Sequence, residues 1–84
     1  MGDIDTGDSV KHAPTGETWV VAFVEGDRLY WCGWPGGSAQ LSDCTLVKKA
    51  SHEYRMSLLT EMADMHDTKD ARCRFAQRAL AGAR

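Results

Sequence analysis

Residues 19–34 have the sequence WVVAFVEGDRLYWCGW, from which the central strands of the fold are predicted. Two runs rich in β-branched and aromatic residues, 19–24 and 28–34, flank the pair Gly26-Asp27. A glycine that tolerates positive φ between two such runs predicts a β-hairpin with a two-residue turn. Both faces of this hairpin are largely apolar, so we expect it to lie at the centre of a sheet and to be packed on both sides.

Successive side chains of a strand point to opposite faces of its sheet. For the first strand of the hairpin, the alternation predicts one face with Trp19, Val21 and Phe23 and another with Val20, Ala22 and Val24. For the second strand, Leu29 and Trp31 alternate with Tyr30 and Cys32.

Turn signals recur at regular intervals on both sides of the hairpin, at Gly7-Asp8, Pro14-Thr15-Gly16, Gly36-Gly37 and Ser42-Asp43. Regular turns between short β-rich runs are typical of a small sandwich or barrel. The sequence therefore predicts an α+β, mainly β fold, in which a five-stranded SH3-like antiparallel barrel spans residues 8–49. Residues 1–7 form a short acidic segment with few apolar side chains, and this segment is predicted to be a disordered tail.

Helical periodicity follows the β-module and predicts a C-terminal helical arm over residues 51–82. Ser51 is the expected N-cap of its first helix. The apolar stripe of that helix comprises Tyr54, Leu58, Leu59, Met62 and Met65. The periodicity weakens at residues 66–68, where Asp67 could cap a second helix, so one bent helix or two short helices fit the pattern.

The arm either packs on the β-module or serves in association with another chain. For the first helix we favour packing, because so small a barrel needs cover for its apolar surface. For the second helix we favour association, since its apolar stripe is narrow. The predicted association surface consists of Arg72, Arg74, Phe75, Arg78 and Leu80.

Length and composition indicate one small ordered domain. The chain has 84 residues, of which 43% are hydrophobic and 26% are charged. The sequence shows neither an apolar run long enough for a membrane span nor the layout of a signal peptide, so a cytoplasmic location without membrane contact is expected. An odd count of three cysteines favours free thiols over disulfide bonds.

No motif in the sequence predicts a metal site, a cofactor or a catalytic residue. The cysteines and histidines lack the short paired spacing of structural zinc ligands. The glycines of residues 33–37 are not followed by the lysine that a phosphate-binding loop requires. A binding protein is therefore expected rather than an enzyme, although an oligomeric enzyme with a pore on its symmetry axis would carry no single-chain motif.

Aromatic residues are concentrated on and beside the central hairpin, at Trp19, Tyr30, Trp31 and Trp34. They exceed what a module of this size needs for its core, so some should lie at the surface. Exposed tryptophan beside a proline turn is typical of peptide-docking grooves. The predicted protein-binding surface comprises Tyr30, Trp31, Trp34 and Pro35.

Three segments resemble the pattern of YodC-like small bacterial proteins: Gly7-Asp8-Ser9-Val10, the turn at Pro14-Thr15-Gly16, and residues 29–35, LYWCGWP. The resemblance implies an SH3-like fold and brings no established activity with it. It covers about half of the chain and does not extend to the helical arm.

The function expected from the sequence is that of a non-catalytic protein-binding module, an adaptor or inhibitor of a bacterial protein that a phage or mobile element could carry. Self-association as a homodimer through the helical arm is a further expectation. An alternative is nucleic-acid binding, with the aromatic residues as a stacking platform and the C-terminal arginines on phosphates. Residues 1–50, however, carry more acidic than basic side chains, which opposes that alternative.

Overall fold

The computed structural model describes residues 4–32 and 37–82. Its strands are β1 (Ser9–His12), β2 (Thr18–Glu25), β3 (Arg28–Trp31), β4 (Gly37–Gln40) and β5 (Cys44–Lys48). A 3-10 helix, Leu41–Asp43, joins β4 to β5. Two helices follow, α1 (His52–Ala63) and α2 (Ala71–Gly82), so the arm is a pair of short helices rather than one bent helix.

The strands form one antiparallel sheet in the order β4-β3-β2-β1-β5. The predicted central hairpin is β2 and β3, and Gly26 has a positive φ of 61° in its two-residue turn. The five-stranded antiparallel sheet with helices after it is confirmed. Among the described residues β4 and β5 are the two edges and do not pair, so closure into a barrel stays a prediction.

A β-bulge interrupts β2 at Ala22. Val21 lies opposite Trp31 and Phe23 lies opposite Tyr30, which leaves Ala22 as the extra residue. An extra residue reverses the alternation beyond it. Phe23 therefore shares a face with Ala22 rather than with Val21, and the prediction that Phe23 lies with Trp19 and Val21 is wrong.

The bulge divides the apolar residues between two clusters on opposite sides of β2. The first, called the sheet cluster, has a buried centre of Val10, Val21 and Leu29, with Ile4, Trp19, Val24, Leu41 and Cys44 packed around it. The second, called the helix-facing cluster, joins the sheet to both helices through buried Ala22, Phe23, Leu59, Met62 and Ala76. Two-sided burial is what the apolar faces of the central hairpin predict.

Both helices of the arm pack on the sheet through the helix-facing cluster. The Phe75 ring of α2 stacks on the Phe23 ring of β2, with centroids 4.7 Å apart. Ala76 beside it is fully buried. Association through α2 can therefore use only the parts of the helix that its packing on the sheet leaves exposed. Neither described helix combines the length and apolar character needed to cross a membrane.

Polar side chains fix the starts of the two helices. The Ser51 hydroxyl accepts a hydrogen bond from the Tyr54 N–H at 3.1 Å, as the predicted N-cap of α1 should. For α2 the expected cap was Asp67, but Asp70 immediately precedes the helix and accepts from the Arg72 N–H at 2.8 Å. The Asp67 carboxylate instead accepts from the Lys69 N–H inside the turn.

The segment before β1 belongs to the fold. Ile4 packs against the sheet cluster, Thr6 is buried, and the Gly7 N–H donates to the Val21 carbonyl at 2.8 Å. The predicted tail is therefore wrong for residues 4–7, while residues 1–3 lie outside the described part of the chain.

Candidate functional site

Three aromatic side chains stack across three neighbouring strands and form what we call the aromatic ladder: His12 on β1, Trp19 on β2 and Trp31 on β3. The His12 and Trp19 ring centroids are 4.4 Å apart, and those of Trp19 and Trp31 are 4.0 Å apart. Interplanar angles of 23° and 30° make both contacts stacked. The strand order β1-β2-β3 places one ring on each strand in succession, so the ladder crosses the sheet.

The ladder lies on the side of the sheet cluster, against which Trp19 packs. At its far end the Trp31 ring covers Gly37 of β4, where a Cβ atom would collide with the indole. A glycine is therefore required at this position by the close approach of the ring. All three ladder side chains are half-buried, so each keeps part of its surface in solvent.

Hydrogen bonds fix the polar edges of two ladder rings. The Trp19 Nε1–H donates to Glu17 Oε1 at 3.2 Å. His12 Nδ1 and the Thr15 hydroxyl share a hydrogen bond of 2.9 Å across the turn between β1 and β2. These bonds, together with the stacking, hold the ladder in one arrangement before any ligand arrives, which lowers the entropy lost on binding.

The predicted protein-binding surface is only partly brought together. Trp31 belongs to the ladder, whereas Tyr30 points to the other side of β3 and stacks on Phe23 with centroids 4.4 Å apart. Tyr30 thus packs against the helix-facing cluster and shares no surface with Trp31. Trp34 and Pro35 lie outside the described residues.

Sequence reasoning missed His12 as a member of the site. One signal could have found it: His12 is two positions after Val10, so strand alternation puts both on the same face. To identify Trp19 as the stacking partner of His12, one must also know how β1 pairs with β2, where Val10 lies opposite Trp19. That register is a tertiary fact that no local pattern contains.

The predicted association residues of α2 divide between buried and exposed positions. Phe75 stacks on Phe23, and Leu80 is partly buried against the helix-facing cluster. Arg74 and Arg78 are exposed. Of the predicted set, these two arginines are therefore the most accessible to another chain.

Arg72 has a different role. Its Nε and Nη2 atoms donate to the two carboxylate oxygens of Asp70 at 3.0 and 2.8 Å. The hydrogen bonds from Arg72 hold the pKa of Asp70 below its ordinary value. This pair fixes the start of α2, so Arg72 serves the fold.

A buried carboxylate ties the start of β1 to the start of α1, and we call this arrangement the Asp8 clasp. Its hydrogen-bond donors are Asp5 N (2.9 Å), Lys49 Nζ (2.9 Å), Ala50 N (2.8 Å) and Arg55 Nη2 (3.0 Å). Burial raises the pKa of Asp8, but the hydrogen bonds from the Ala50 N–H and the Lys49 ammonium outweigh it and keep the pKa below 3.8.

The Asp8 clasp is unsuited to proton transfer. Its carboxylate is fully buried and is occupied by donors on both oxygens. A general base needs a free lone pair within reach of a substrate and a pKa close to the working pH. The clasp therefore stabilises the fold. Arg55 also donates from Nε to the Thr6 carbonyl at 2.8 Å, which holds residues 5–8 against α1.

Possible metal ligands are not clustered in residues 4–32 and 37–82. No group of three histidine, cysteine, aspartate or glutamate side chains there could hold a metal ion. Cys32, Cys44 and Cys73 are each free. Burial raises the pKa of the Cys32 and Cys44 thiols, which disfavours the reactive thiolate.

Comparison of the chain with protein-family models, with curated proteins and with solved structures gives no match in any of the three. The resemblance to YodC-like small bacterial proteins therefore stays a prediction that rests on the sequence.

Proposed function

We propose that this protein is a non-catalytic binding module of the cytoplasm that recognises a segment of another protein on its aromatic ladder. The observation that carries the proposal is the ladder itself: His12, Trp19 and Trp31 stacked across three strands and half-buried. Rigid aromatic side chains with a fixed orientation are the commonest hot spots of protein interfaces, because they offer large contact area at little entropic cost.

The chemistry of the ladder favours a proline-rich segment with a basic residue. Polyproline II segments dock on surfaces lined by aromatic rings and lose little entropy there, because they are already extended. Glu17 lies at the edge of the ladder, where its carboxylate accepts from Trp19 with one oxygen. A carboxylate in that place attracts an arginine or lysine of the partner.

Several features of the sheet support an SH3-like barrel for this module. The strand order β4-β3-β2-β1-β5, the bulge that bends β2, and the 3-10 helix between β4 and β5 are all compatible with a sheet that curls toward closure. Such a barrel would present the ladder at one end of the sheet cluster. An adaptor or an inhibitor of a bacterial protein could use that surface.

The charged side chains near the aromatic ladder make nucleic-acid binding the less favoured alternative. Stacking platforms for single strands combine aromatic rings with a positively charged groove. Glu17 is the charged side chain bonded to the ladder, and Arg72 of the C-terminal group is engaged by Asp70.

The test is a titration of the full chain, followed by tryptophan fluorescence and by NMR amide shifts. The probes are a proline-rich peptide with one arginine, the same peptide with glutamate in place of arginine, and oligothymidylate at two salt concentrations. We expect the arginine peptide to bind and to shift amides of β1, β2 and β3. Replacement Trp31→Ala should weaken binding about tenfold or more, as for a hot-spot side chain.

Tyr54→Ala is the matched control, since Tyr54 is an aromatic side chain that is 47% exposed on α1 and lies outside the ladder. It should leave the affinity unchanged, and thermal melts should show that each variant is folded. Binding of oligothymidylate without the peptides would favour the nucleic-acid alternative. Failure of both peptides to bind would overturn the proposed recognition of a proline-rich segment.

A further inference from the structure

A shallow groove runs between the end of β2 and the exposed side of α2. It has a volume of about 330 Å³ and is lined by Val24, Glu25, Phe75, Arg78 and Ala79. The apolar members of the lining, Val24, Phe75 and Ala79, are each only partly buried, so they leave apolar surface in solvent. No residue of the aromatic ladder lines the groove.

Charges of opposite sign flank the groove. Glu25 is contributed by β2 and Arg78 by α2, and both are exposed. Within the part of the chain that the structure describes, neither side chain belongs to an ion pair. The groove thus offers one free carboxylate and one free guanidinium on opposite walls, with an apolar strip between them.

We propose that this groove is the contact surface of a homodimer in which two copies face each other across a two-fold axis. An axis that runs along the groove between its two walls brings Glu25 of each copy opposite Arg78 of the partner subunit. Because a two-fold contact uses the same patch on both subunits, both pairs form at once. The apolar strips of Val24, Phe75 and Ala79 meet between the two ion pairs.

A second copy suits the groove better than a partner with charge of one sign. An acidic segment would be repelled by Glu25, and a basic segment would be repelled by Arg78. A rotated copy of the groove, by contrast, matches both charges and the apolar strip. A domain of this size also gains from association, since its own core supplies little stability. The dimer does not rest on the proposed peptide recognition, which uses another face.

The experiment measures the mass of the full chain by sedimentation over a range of concentrations. Glu25→Arg and Arg78→Glu each place like charges opposite each other in the dimer, so each variant alone should raise the dissociation constant about tenfold or more. An equimolar mixture of the two variants should form a heterodimer, since every charge then faces its opposite. The double variant Glu25→Arg with Arg78→Glu should dimerise again within about threefold of the parent.

Exposed charges elsewhere provide the controls. Glu53→Arg on α1 and Lys48→Glu on β5 make the same charge changes outside the groove and should leave the dissociation constant unchanged. Thermal melts confirm that the single variants stay folded. A parent chain that remains monomeric at millimolar concentration would overturn the proposal. So would single variants that dimerise as well as the parent, or a mixture of the two that stays monomeric.

Discussion

The buried carboxylate of Asp8 accepts a hydrogen bond of 2.8 Å from the backbone N–H of Ala50, a residue 42 positions further along the chain. The same carboxylate binds Arg55 on α1, so one side chain joins the segment before β1, the end of β5 and the first turn of α1.

Replacing Asp8 with Asn should lower the free energy of unfolding by about 2–5 kcal/mol. The amide keeps the size of the side chain but removes the charge that faces Lys49 and Arg55, and its NH₂ group meets donors where acceptors are needed. Urea unfolding followed by circular dichroism measures the change. Asp27→Asn, at an exposed aspartate of the hairpin turn, is the control and should change stability by less than about 0.5 kcal/mol.

The stability contributed by Asp8 should also depend on pH in a defined direction. Its pKa in the folded protein lies below the ordinary value of 3.8, so the unfolded chain binds its proton more readily. The contribution is therefore complete above about pH 4 and is lost as the pH falls through the folded pKa. Asp70, whose pKa is lowered by Arg72, acts in the same direction.

Unfolding midpoints in urea, measured between pH 7 and pH 2, test this dependence. The free energy of unfolding of the parent should fall steeply below pH 4. For the Asp8→Asn variant it should fall less steeply, because residue 8 no longer takes up a proton when the chain unfolds. If stability fell with pH equally steeply in the parent and the variant, the ionisation of Asp8 would not contribute to the stability of the fold.

Gly7→Ala should destabilise the protein more than Gly16→Ala. Both glycines have positive φ, 89° and 74°, so an alanine is strained at either position. At Gly7 the added Cβ would also lie 3.0 Å from the Ala50 Cβ and 3.3 Å from the Tyr54 ring, whereas nothing lies within 4 Å at Gly16. We expect a cost of about 1 kcal/mol at Gly16 and clearly more at Gly7. Equal melting temperatures would contradict the close packing of Gly7.

Phe23→Ala should cost about 3–5 kcal/mol, because the ring is almost fully buried between Tyr30 and Phe75. Phe75→Ala should cost less, since that ring is only half-buried. Chemical denaturation gives both values. A small effect of Phe23→Ala would place this side chain outside the core that joins the sheet to the helices.

Local patterns were sufficient for the parts of the fold that depend on neighbouring residues. The glycine turn at Gly26 predicted the hairpin, and Ser51 predicted the start of α1. The sequence pointed to Asp67 as the cap of α2, whereas Asp70, in the same short polar segment, accepts from the first turn of the helix. The contacts of Asp70 with Arg72 distinguish it as the residue that fixes the start of that helix.

The bulge at Ala22 could not be predicted from periodicity. Residues 19–24 are apolar at every position. An extra residue among them therefore does not change the hydrophobic pattern, and the sequence does not show that the side chains after it change face. The Asp8 clasp was missed for another reason. Three of its four donors lie more than 40 positions away, at Lys49, Ala50 and Arg55. An acidic segment whose partners are so distant in sequence resembles a disordered tail.

The split of the predicted binding surface was, by contrast, already implied by strand alternation. Tyr30 and Trp31 are consecutive residues of one strand and must point to opposite faces. Grouping them by proximity in sequence joined residues that lie on two different faces. The stacking of Trp31 with Trp19 and His12 required the sheet order, which brings together residues from three separate strands.

The bulge in β2 has a consequence for how the molecule comes apart. Val21 belongs to one buried cluster and Phe23 to the other, so a single segment of backbone supports both. Separating β2 from β3 would disrupt both clusters at once. We therefore expect that neither cluster can unfold while the other stays packed. Hydrogen exchange at the Val21 and Phe23 amides should then report one common opening event, with the protection of the global unfolding transition.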